Sequence, residues 1–291
     1  MAAGTDIRTY YQGQWHNEDL AVIRAGDHAA WLASMVFDGA RYVNGVAPDL
    51  MAHCERVNNS ARAMMLEPSH SAQDIHDIAW EGISAYPRDT PLYIRPMYWG
   101  IDNIHMAILN GPAVGFCICL EVMPMAAPEA SVRLTRTRFH RPTLETAVAN
   151  AKAGCLYPNS ARMLAEARTK GYDNVIAADP WGNVAETAVS NIFMAKDGEV
   201  FTPKPNGTFL NGITRQRHIK NLRADGIKVH EATLSFEDFH NADEVFKTGN
   251  LQKITPVREF DGTSYEIGPL ALRARKLYWD WAHSAGQASA A

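Results

Sequence analysis

The sequence has no stretch of about 18 consecutive apolar residues, the length that a helix needs to cross a membrane. Its four cysteines lie at positions 54, 117, 119 and 155, and their spacing is not that of a zinc site. The net charge of −4 gives no indication of a surface for nucleic acids or lipids. The first residues lack an apolar signal segment. We therefore expect a soluble, cytoplasmic protein with reduced thiols and without a metal ion.

Lysine is missing from the first 151 residues, and Lys152 is the first of nine lysines. It lies among small residues, in the segment Ala151-Lys152-Ala153-Gly154. A poorly hydrated lysine loses part of its preference for the charged form, and a neutral amine can form a Schiff base with a carbonyl. On the local sequence alone, a lysine at a helix edge with its ammonium group reaching solvent is the more ordinary explanation of the segment. The residues downstream decide between the two.

The chain is long enough for one large or two ordinary domains, with 291 residues of which 46% are hydrophobic. A segment with two prolines and no periodicity divides it near the middle. We expect a small N-terminal α/β domain at 1–123, a linker at 124–131, and a large C-terminal domain at 132–291 that carries Lys152. Hairpins alternate with helices without a regular βαβ repeat, which favours an α/β protein with mixed (α+β) sheets.

Local patterns predict several elements. Apolar residues recur at steps of three and four over residues 50–64, as in an amphipathic helix. Residues 92–99 and 114–122 are apolar enough to form central strands. A further helix is expected over residues 159–170, capped by its first or second residue.

A pyridoxal phosphate (PLP) site needs a lysine for the aldehyde, an acid at the ring nitrogen, a donor to the phenolate, and cations or amides for the phosphate. Glu186, 34 residues after Lys152, is a candidate acid, and Tyr157 is a candidate donor. The segment Gly212-Ile213-Thr214-Arg215 at a helix start offers free backbone N–H groups. Arg56 could pair with the phosphate. Taken singly, each has an ordinary structural explanation, such as an exposed strand-end glutamate or a solvated arginine.

Seven motifs in a fixed order connect these candidates. They are Val36-Phe37-Asp38-Gly39-Ala40-Arg41, His53-Cys54-Glu55-Arg56, Tyr93-Ile94-Arg95-Pro96, Lys152-Ala153-Gly154-Cys155-Leu156-Tyr157, Glu186 through Asn191-Ile192-Phe193, Gly212-Ile213-Thr214-Arg215, and Ala242-Asp243-Glu244-Val245-Phe246 with Ile254-Thr255-Pro256-Val257. The set resembles the class IV (fold type IV) PLP-dependent aminotransferases, and within them the branched-chain amino acid aminotransferases. The resemblance extends over nearly the whole chain.

The resemblance implies a two-domain fold of the D-amino-acid/branched-chain aminotransferase type, a homodimer, and pyridoxal 5'-phosphate as cofactor. It implies a transaminase that moves an amino group between a branched-chain L-amino acid and a 2-oxo acid such as 2-oxoglutarate, by a ping-pong mechanism. Lys152 would be the catalytic residue and would carry the Schiff base. The implied cofactor contacts are Arg56, Lys152, Tyr157, Glu186, Asn191, Ile213, Thr214 and Asn250. The implied substrate contacts are Phe37, Tyr93, Arg95, Leu251, Trp31 and Leu32.

The chain departs from the branched-chain pattern around the substrate. Leu32, beside Trp31, replaces a usual tyrosine, and Asn250-Leu251 replaces a usual Thr-Ala. An (R)-selective amine transaminase or a D-amino-acid transaminase of the same fold is therefore an alternative, although a hydrophobic amine would give Arg95 no counter-charge. An aminodeoxychorismate lyase and a protein that has lost the cofactor are further alternatives.

Overall fold

The computed structural model describes residues 4–101, 113–127 and 129–288. They form two compact units. The first comprises the described residues up to 125 together with Asn150–Cys155, and the second comprises residues 126–149 and those from 156 onward. Lys152 therefore lies in the first unit. The boundaries expected at 124–131 stay a prediction, and residue 128 of that segment lies outside the described residues.

The first unit is an antiparallel sheet with helices. Its strand order is β2-β1-β6-β5-β3, and β4 also pairs with β5. Its elements are β1 (Thr5–Tyr11), β2 (Gln14–His16), α1 (His28–Leu32), β3 (Met35–Phe37), β4 (Ala40–Tyr42), α2 (Leu50–Ala63), α3 (Ala72–Ser84), β5 (Leu92–Gly100) and β6 (Val114–Val122).

The two strands expected to be central are central. β5 and β6 pair along their whole length, from Leu92 opposite Val122 to Gly100 opposite Val114. Buried and half-buried residues alternate along β5 from Leu92 to Met97, so one face packs against the core and the other is partly open. The predicted amphipathic helix is α2, which buries Leu50, Cys54, Val57 and Ala61 on one face.

The second unit contains a nine-stranded mixed sheet, which confirms the predicted fold class. Its order is β12-β11-β10-β13-β14-β7-β8-β9, with β15 added to β14. The elements are β7 (Val132–Arg136), a 3₁₀ turn (Gly154–Leu156), α4 (Tyr157–Thr169), β8 (Asn174–Ala178), β9 (Val184–Thr187), β10 (Asn191–Lys196), β11 (Glu199–Pro203), α5 (Ile213–Ala224), β12 (Val229–Ala232), α6 (Phe236–His240), β13 (Glu244–Gly249), β14 (Lys253–Phe260), β15 (Thr263–Ser264) and α7 (Pro269–Ala288).

Both faces of this sheet are buried. Along β10, Ile192 and Met194 belong to one apolar cluster, whereas Phe193 and Ala195 belong to another. Alternate residues of a strand point to opposite faces, so the two clusters lie on opposite sides of the sheet. A strand buried on both faces loses the apolar/polar alternation of a half-exposed strand, as the sequence of β10 shows.

The predicted start of the helix near residue 159 is wrong. Helix α4 begins at Tyr157, and its N-cap residue Leu156 makes no side-chain capping bond. Pro158 stands in the first turn, where its missing N–H costs no hydrogen bond and its fixed φ suits the helix. Asn159 therefore lies inside the helix and donates through Nδ2 to the carbonyl of His140 at 3.2 Å.

No helix among the described residues combines the length and the apolar character needed to cross a lipid bilayer. In the same part of the chain, no three His, Cys, Asp or Glu side chains form a group that could hold a metal ion. The four cysteines are free thiols, and Cys54, Cys117 and Cys119 are buried.

Candidate active site

Lys152 is held by its backbone against the edge of the first unit's sheet. Its N–H donates to Ser60 Oγ at 3.0 Å, and its carbonyl accepts from the Phe37 N–H at 3.1 Å. Its neighbours Ala151 and Ala153 are fully buried. The Lys152 ammonium nitrogen lies 4.6 Å from the centroid of the Phe37 ring. The Lys152 amine therefore lies beside an aromatic ring, and the residues on both sides of Lys152 in the sequence are buried.

The predicted substrate contacts on β3 and β5 share one face. Phe37 lies opposite Met97 in the β3–β5 pairing. Tyr93, Arg95 and Met97 are at alternate positions of β5 and are all half-buried, so they lie on the same side as Phe37. The structure therefore brings three of the predicted substrate contacts, Phe37, Tyr93 and Arg95, to the face that also holds the Lys152 amine.

Gly39 makes room for Tyr93. A Cβ atom at position 39 would lie 2.1 Å from the Tyr93 hydroxyl oxygen. Arg41, on β4, lies directly opposite Tyr93 in the β4–β5 pairing. Arg41 is completely buried, and burial lowers its pKa to about 10. Its Nη2 donates to the Met123 carbonyl at 2.5 Å, while Nε and Nη1 have no hydrogen-bond partner among the described residues.

Arg56 is fixed by a buried carboxylate. Its Nε and Nη2 donate to Asp38 Oδ2 and Oδ1 at 2.6 and 2.8 Å. His53 Nδ1 lies 2.7 Å from Asp38 Oδ1, and the Gly39 N–H donates to the same oxygen at 2.7 Å. Burial by itself would raise the pKa of Asp38, but Arg56 and His53 outweigh it and hold the pKa well below its usual range. Since two of five guanidinium N–H groups go to Asp38, Arg56 is oriented before any anion arrives.

In the second unit, Glu186 is one half of a buried ion pair. Arg141 Nη2 lies 2.8 Å from Glu186 Oε1, and the two side chains are only 10% and 8% exposed. The backbone N–H of Arg141 donates to the Ala178 carbonyl at 2.8 Å, which ties the arginine to the end of β8. Glu186 itself stands on β9, opposite Ala177 of β8. A neighbouring guanidinium favours the ionised form of a carboxylate, and this is the form that the predicted role of Glu186 at a cationic ring nitrogen requires.

Asn191 touches the other oxygen of Glu186. Its Nδ2 lies 3.4 Å from Glu186 Oε2 and donates to the Leu210 carbonyl at 2.9 Å. A Cβ atom at position 212 would lie 2.2 Å from Asn191 Oδ1, so Gly212 is needed for this close approach. Asn191 was expected to contact the cofactor. The contacts that the structure gives it are to Glu186 and to the loop before α5.

The start of α5 meets the requirements of a phosphate site. The N-cap residue of α5 is Gly212, and it makes no side-chain capping bond. The first backbone N–H groups of the helix, including those of Ile213 and Thr214, therefore receive no hydrogen bond from an N-cap side chain. Arg215 is buried and donates to Asn211 Oδ1 at 2.8 Å and to the Pro203 carbonyl and Glu231 Oε2 at 2.9 Å. It serves as the anchor of the helix on strands β11 and β12.

Asn250 presents an unpaired amide group. The ammonium of the fully buried Lys253 donates to Asn250 Oδ1 at 2.5 Å. The oxygen is engaged, and the amide nitrogen Nδ2 is buried without a hydrogen-bond partner in the part of the chain that the structure describes. A buried donor without a partner is costly unless a ligand satisfies it. Together with the uncapped start of α5, this orphaned donor fits the phosphate of the PLP that the resemblance implies.

The remaining predicted residues lie on α1, at the start of α4 and in the turn before β14. Tyr157 is the first residue of α4 and is half-buried, as is Leu251. Trp31 and Leu32 lie on the short helix α1 and are 48% and 40% exposed. The substrate and cofactor roles of these four residues stay predictions.

The sequence analysis missed five residues that the geometry brings to the candidate groups. These are Asp38, His53, Arg141, Lys253 and, as the partner of Arg95, Glu121. Asp38 and His53 stand inside the motifs that were recognised, so a search for partners of Arg56 could have included them. Arg141, Glu121 and Lys253 carry no local signal, because their partners are defined by strand pairing and packing.

A family model described as "Amino-transferase class IV" matches residues 35–260 of the chain. Among curated proteins, the branched-chain-amino-acid aminotransferase of Salmonella typhimurium is 30% identical over 283 residues, covering 93% of this chain and 91% of that protein. The enzyme of the same name from Pseudomonas aeruginosa is 30% identical over 296 residues, covering 96% and 94%.

Solved structures give the same likeness. An aminotransferase from Brucella abortus bound to PLP is 52% identical, with a TM-score of 0.93, and the match covers 95% of this chain and 99% of that one. The branched-chain amino acid aminotransferase of Escherichia coli is 28% identical, with a TM-score of 0.86 and coverage of 97% and 95%.

Proposed function

The chain belongs to the class IV aminotransferases, and from this premise we propose that it is a PLP-dependent transaminase acting on branched-chain L-amino acids and a 2-oxo acid. The resemblance inferred from the seven motifs is thereby confirmed at the level of the family. The proposed substrate is supported by the relatives at 30% identity, whose names specify branched-chain amino acids.

The observation that carries the proposal is the position of Lys152. Its amine lies 4.6 Å from the centre of the Phe37 ring, on a backbone held by Ser60 and flanked by buried alanines. Partial desolvation lowers the cost of releasing a proton from an ammonium group, which a nucleophilic lysine requires. A solvated lysine at a helix edge would not need this surrounding.

PLP, when bound, supplies an aldehyde for the amino group and a ring that accepts the electrons released at the substrate Cα. We assign to Lys152 Nζ the covalent attachment of the cofactor and then the movement of the proton away from Cα. Glu186 would hold the ring nitrogen in its protonated form, with Arg141 and Asn191 fixing its two oxygens. Tyr157 would donate to the phenolic oxygen.

The phosphate would be bound by groups that are oriented in advance. Arg56 is held by Asp38, and Asn250 is held by Lys253 with its amide nitrogen unpaired. The backbone N–H groups of Ile213 and Thr214 add the positive end of the α5 dipole. Preorganised donors need no rearrangement when the anion binds, and this is what makes their contribution to binding and catalysis large.

The substrate side chain would lie against Phe37 and Leu251, and Tyr93 would help to bind the carboxylate. Trp31 and Leu32 are proposed as further contacts in place of the usual tyrosine. We also propose a homodimer, which would cover the exposed apolar side chains of α1. The cytoplasm is the proposed location, since four free thiols are compatible with a reducing compartment.

The test is a set of half-reactions of the PLP-loaded protein, followed by absorbance. We expect L-leucine, L-valine and L-isoleucine to remove the visible band of the lysine-bound cofactor, and a 2-oxo acid to restore it. Faster conversion by D-alanine or by (R)-1-phenylethylamine would favour the alternative transaminases. Release of pyruvate from aminodeoxychorismate alone would indicate the lyase.

A further inference from the structure

Arg95 has a counter-ion of its own within the first unit. Its Nη2 forms a short ion pair with Glu121 Oε1. Arg95 lies opposite Cys119 and Tyr93 lies opposite Glu121 in the antiparallel pairing of β5 with β6. Residues opposite each other on neighbouring strands share a face, so Glu121 lies on the face that carries Tyr93, Arg95 and Phe37.

The carboxylate is more deeply buried than the arginine. The Glu121 side chain is 5% exposed, whereas that of Arg95 is 33% exposed. Glu121 Oε2 accepts the N–H of Gly4 at 3.1 Å, and the Cys119 thiol donates to Oε1 at 3.8 Å. Burial raises the pKa of Cys119 to about 11, so this thiol is neutral near pH 7 and can donate.

The backbone is shaped around this carboxylate as well. A Cβ atom at position 4 would lie 2.4 Å from Glu121 Cβ, so only glycine fits there without a shift. Glu121 therefore has three partners among the described residues, Arg95, Gly4 and Cys119, and a backbone that leaves room for it. Its position on this face is therefore defined by the surrounding structure, unlike that of a flexible side chain on the surface.

We propose that Glu121 determines specificity: as the resident counter-ion of Arg95, it favours substrates with neutral side chains and disfavours those with a second carboxylate. This inference rests on the proposed transaminase function. It predicts that the enzyme prefers monocarboxylic 2-oxo acids to 2-oxoglutarate as amino acceptors. It also removes the objection that an apolar substrate would leave Arg95 without a counter-charge.

Two electrostatic effects act in the same direction. With a leucine-like side chain bound, an Arg95 that lacked Glu121 would be a partly buried cation with no anionic partner among the described residues, which is unfavourable. With a dicarboxylic substrate bound, the second carboxylate would meet a pair of zero net charge and would lie near the negative charge of Glu121. With Glu121 in place, a substrate with a neutral side chain incurs neither of these unfavourable energies.

The experiment compares the wild type with Glu121→Gln, which keeps the size of the side chain and removes its charge. The control is Glu81→Gln, because Glu81 is an exposed glutamate on α3 in the same unit. The substrates are 2-oxoglutarate and 4-methyl-2-oxopentanoate, each with saturating L-valine as the donor, so that both acceptors give a net conversion. A second measurement, the shift of the thermal midpoint with glutarate or 4-methylpentanoate, reports binding without turnover.

We expect the wild-type kcat/KM to be at least about tenfold higher for 4-methyl-2-oxopentanoate than for 2-oxoglutarate, because like charges at a binding site are strongly unfavourable. In Glu121→Gln this ratio should fall by about tenfold through the KM for 2-oxoglutarate, and glutarate should give the larger thermal shift. Glu81→Gln should behave like the wild type.

Equal use of both 2-oxo acids by the wild type, or an unchanged ratio in a folded Glu121→Gln, would overturn the role of Glu121. If Glu121→Gln does not fold, the wild-type ratios and thermal shifts decide alone. Failure of the proposed function looks different, since no amino donor would then bleach the cofactor band. In that case the comparison of glutarate with 4-methylpentanoate still tests whether Glu121 repels a second carboxylate.

Discussion

Arg141 and Glu186 form an ion pair of 2.8 Å within the second unit, and the side chains are 10% and 8% exposed. The pair joins the segment before Lys152 to strand β9, across 45 residues of sequence (186 − 141). The adjacent cation favours the charged form of the carboxylate, which the proposed role of Glu186 at the ring nitrogen requires. Asn191 restrains the second oxygen.

Removing either partner of this pair should destabilise the protein. Arg141→Met leaves a buried carboxylate, and Glu186→Gln leaves a buried guanidinium, each costing about 3–5 kcal/mol of unfolding free energy. The double variant should lose less than the sum of the two, as urea unfolding can show. The exposed pair of Lys276 and Asp280 is the control, and its loss should cost less than about 1 kcal/mol. If the double variant lost as much unfolding free energy as the two single variants together, Arg141 and Glu186 would not be coupled.

Glu186→Gln should keep PLP but react slowly. A neutral amide stabilises a protonated ring nitrogen less well than a carboxylate, so the barrier to proton removal from Cα should rise by about 3–4 kcal/mol, as when other preorganised groups are removed. Rapid-mixing absorbance with L-leucine measures the rate, and the phosphate content of the desalted protein reports retention of the cofactor. A near-normal rate would show that the ring nitrogen has another partner.

Lys152→Ala should retain non-covalent PLP through the phosphate contacts but lose turnover, because the amine that moves the proton is gone. Borohydride reduction followed by mass measurement should attach the cofactor to the wild type and not to the variant. Lys276→Ala, on the exposed side of α7, is the control and should be labelled like the wild type. Appreciable activity of Lys152→Ala would remove the central assignment.

The stability of the first unit should depend on pH through Asp38. Burial opposes ionisation, but Arg56 and His53 hold the pKa of Asp38 well below its ordinary value in the folded protein. A carboxyl group with a depressed folded pKa adds stability above its unfolded pKa of about 3.9, and this stability is lost as the pH falls toward the lower folded pKa.

Asp38→Asn should therefore be less stable than the wild type at neutral pH, and the difference should shrink below about pH 4. Denaturant titrations at a series of pH values measure it, with Asp89→Asn as the exposed control. A difference that is the same at pH 3 and pH 7 would mean that ionisation of Asp38 is not its source.

Gly39→Ala should displace Tyr93, because the new Cβ would lie 2.1 Å from the tyrosine hydroxyl. Overpacking of this kind costs about 1–3 kcal/mol of stability. Removing the hydroxyl in the double variant with Tyr93→Phe should recover part of this loss. Gly26→Ala is the matched control, since a Cβ there meets nothing within 4 Å. Thermal midpoints of the four proteins, with the KM for L-leucine, test the contact.

Local structure could largely be predicted from the sequence. The apolar steps of three and four define the buried face of α2, and the apolar runs that became β5 and β6 lie next to each other in the sheet. The start of α4 was predicted wrongly because Asn159 and Ser160 resemble capping residues, while Pro158 in fact stands in the first turn. Pro158 and the two capping candidates, Asn159 and Ser160, lie within three residues of each other. Only the backbone hydrogen bonds of the folded chain show at which residue the helix begins.

The sequence by itself determined the family of this protein, because Lys152, its small neighbours and the ordered motifs are local and match a known family. Only the tertiary structure decided which charges meet. Glu121 reaches Arg95, Arg141 reaches Glu186 and Lys253 orients Asn250 through strand register and tight turns. From the local sequence alone, a charged side chain is predicted to be solvated. Its partner is defined only in the folded protein, where long-range pairing removes both groups from water.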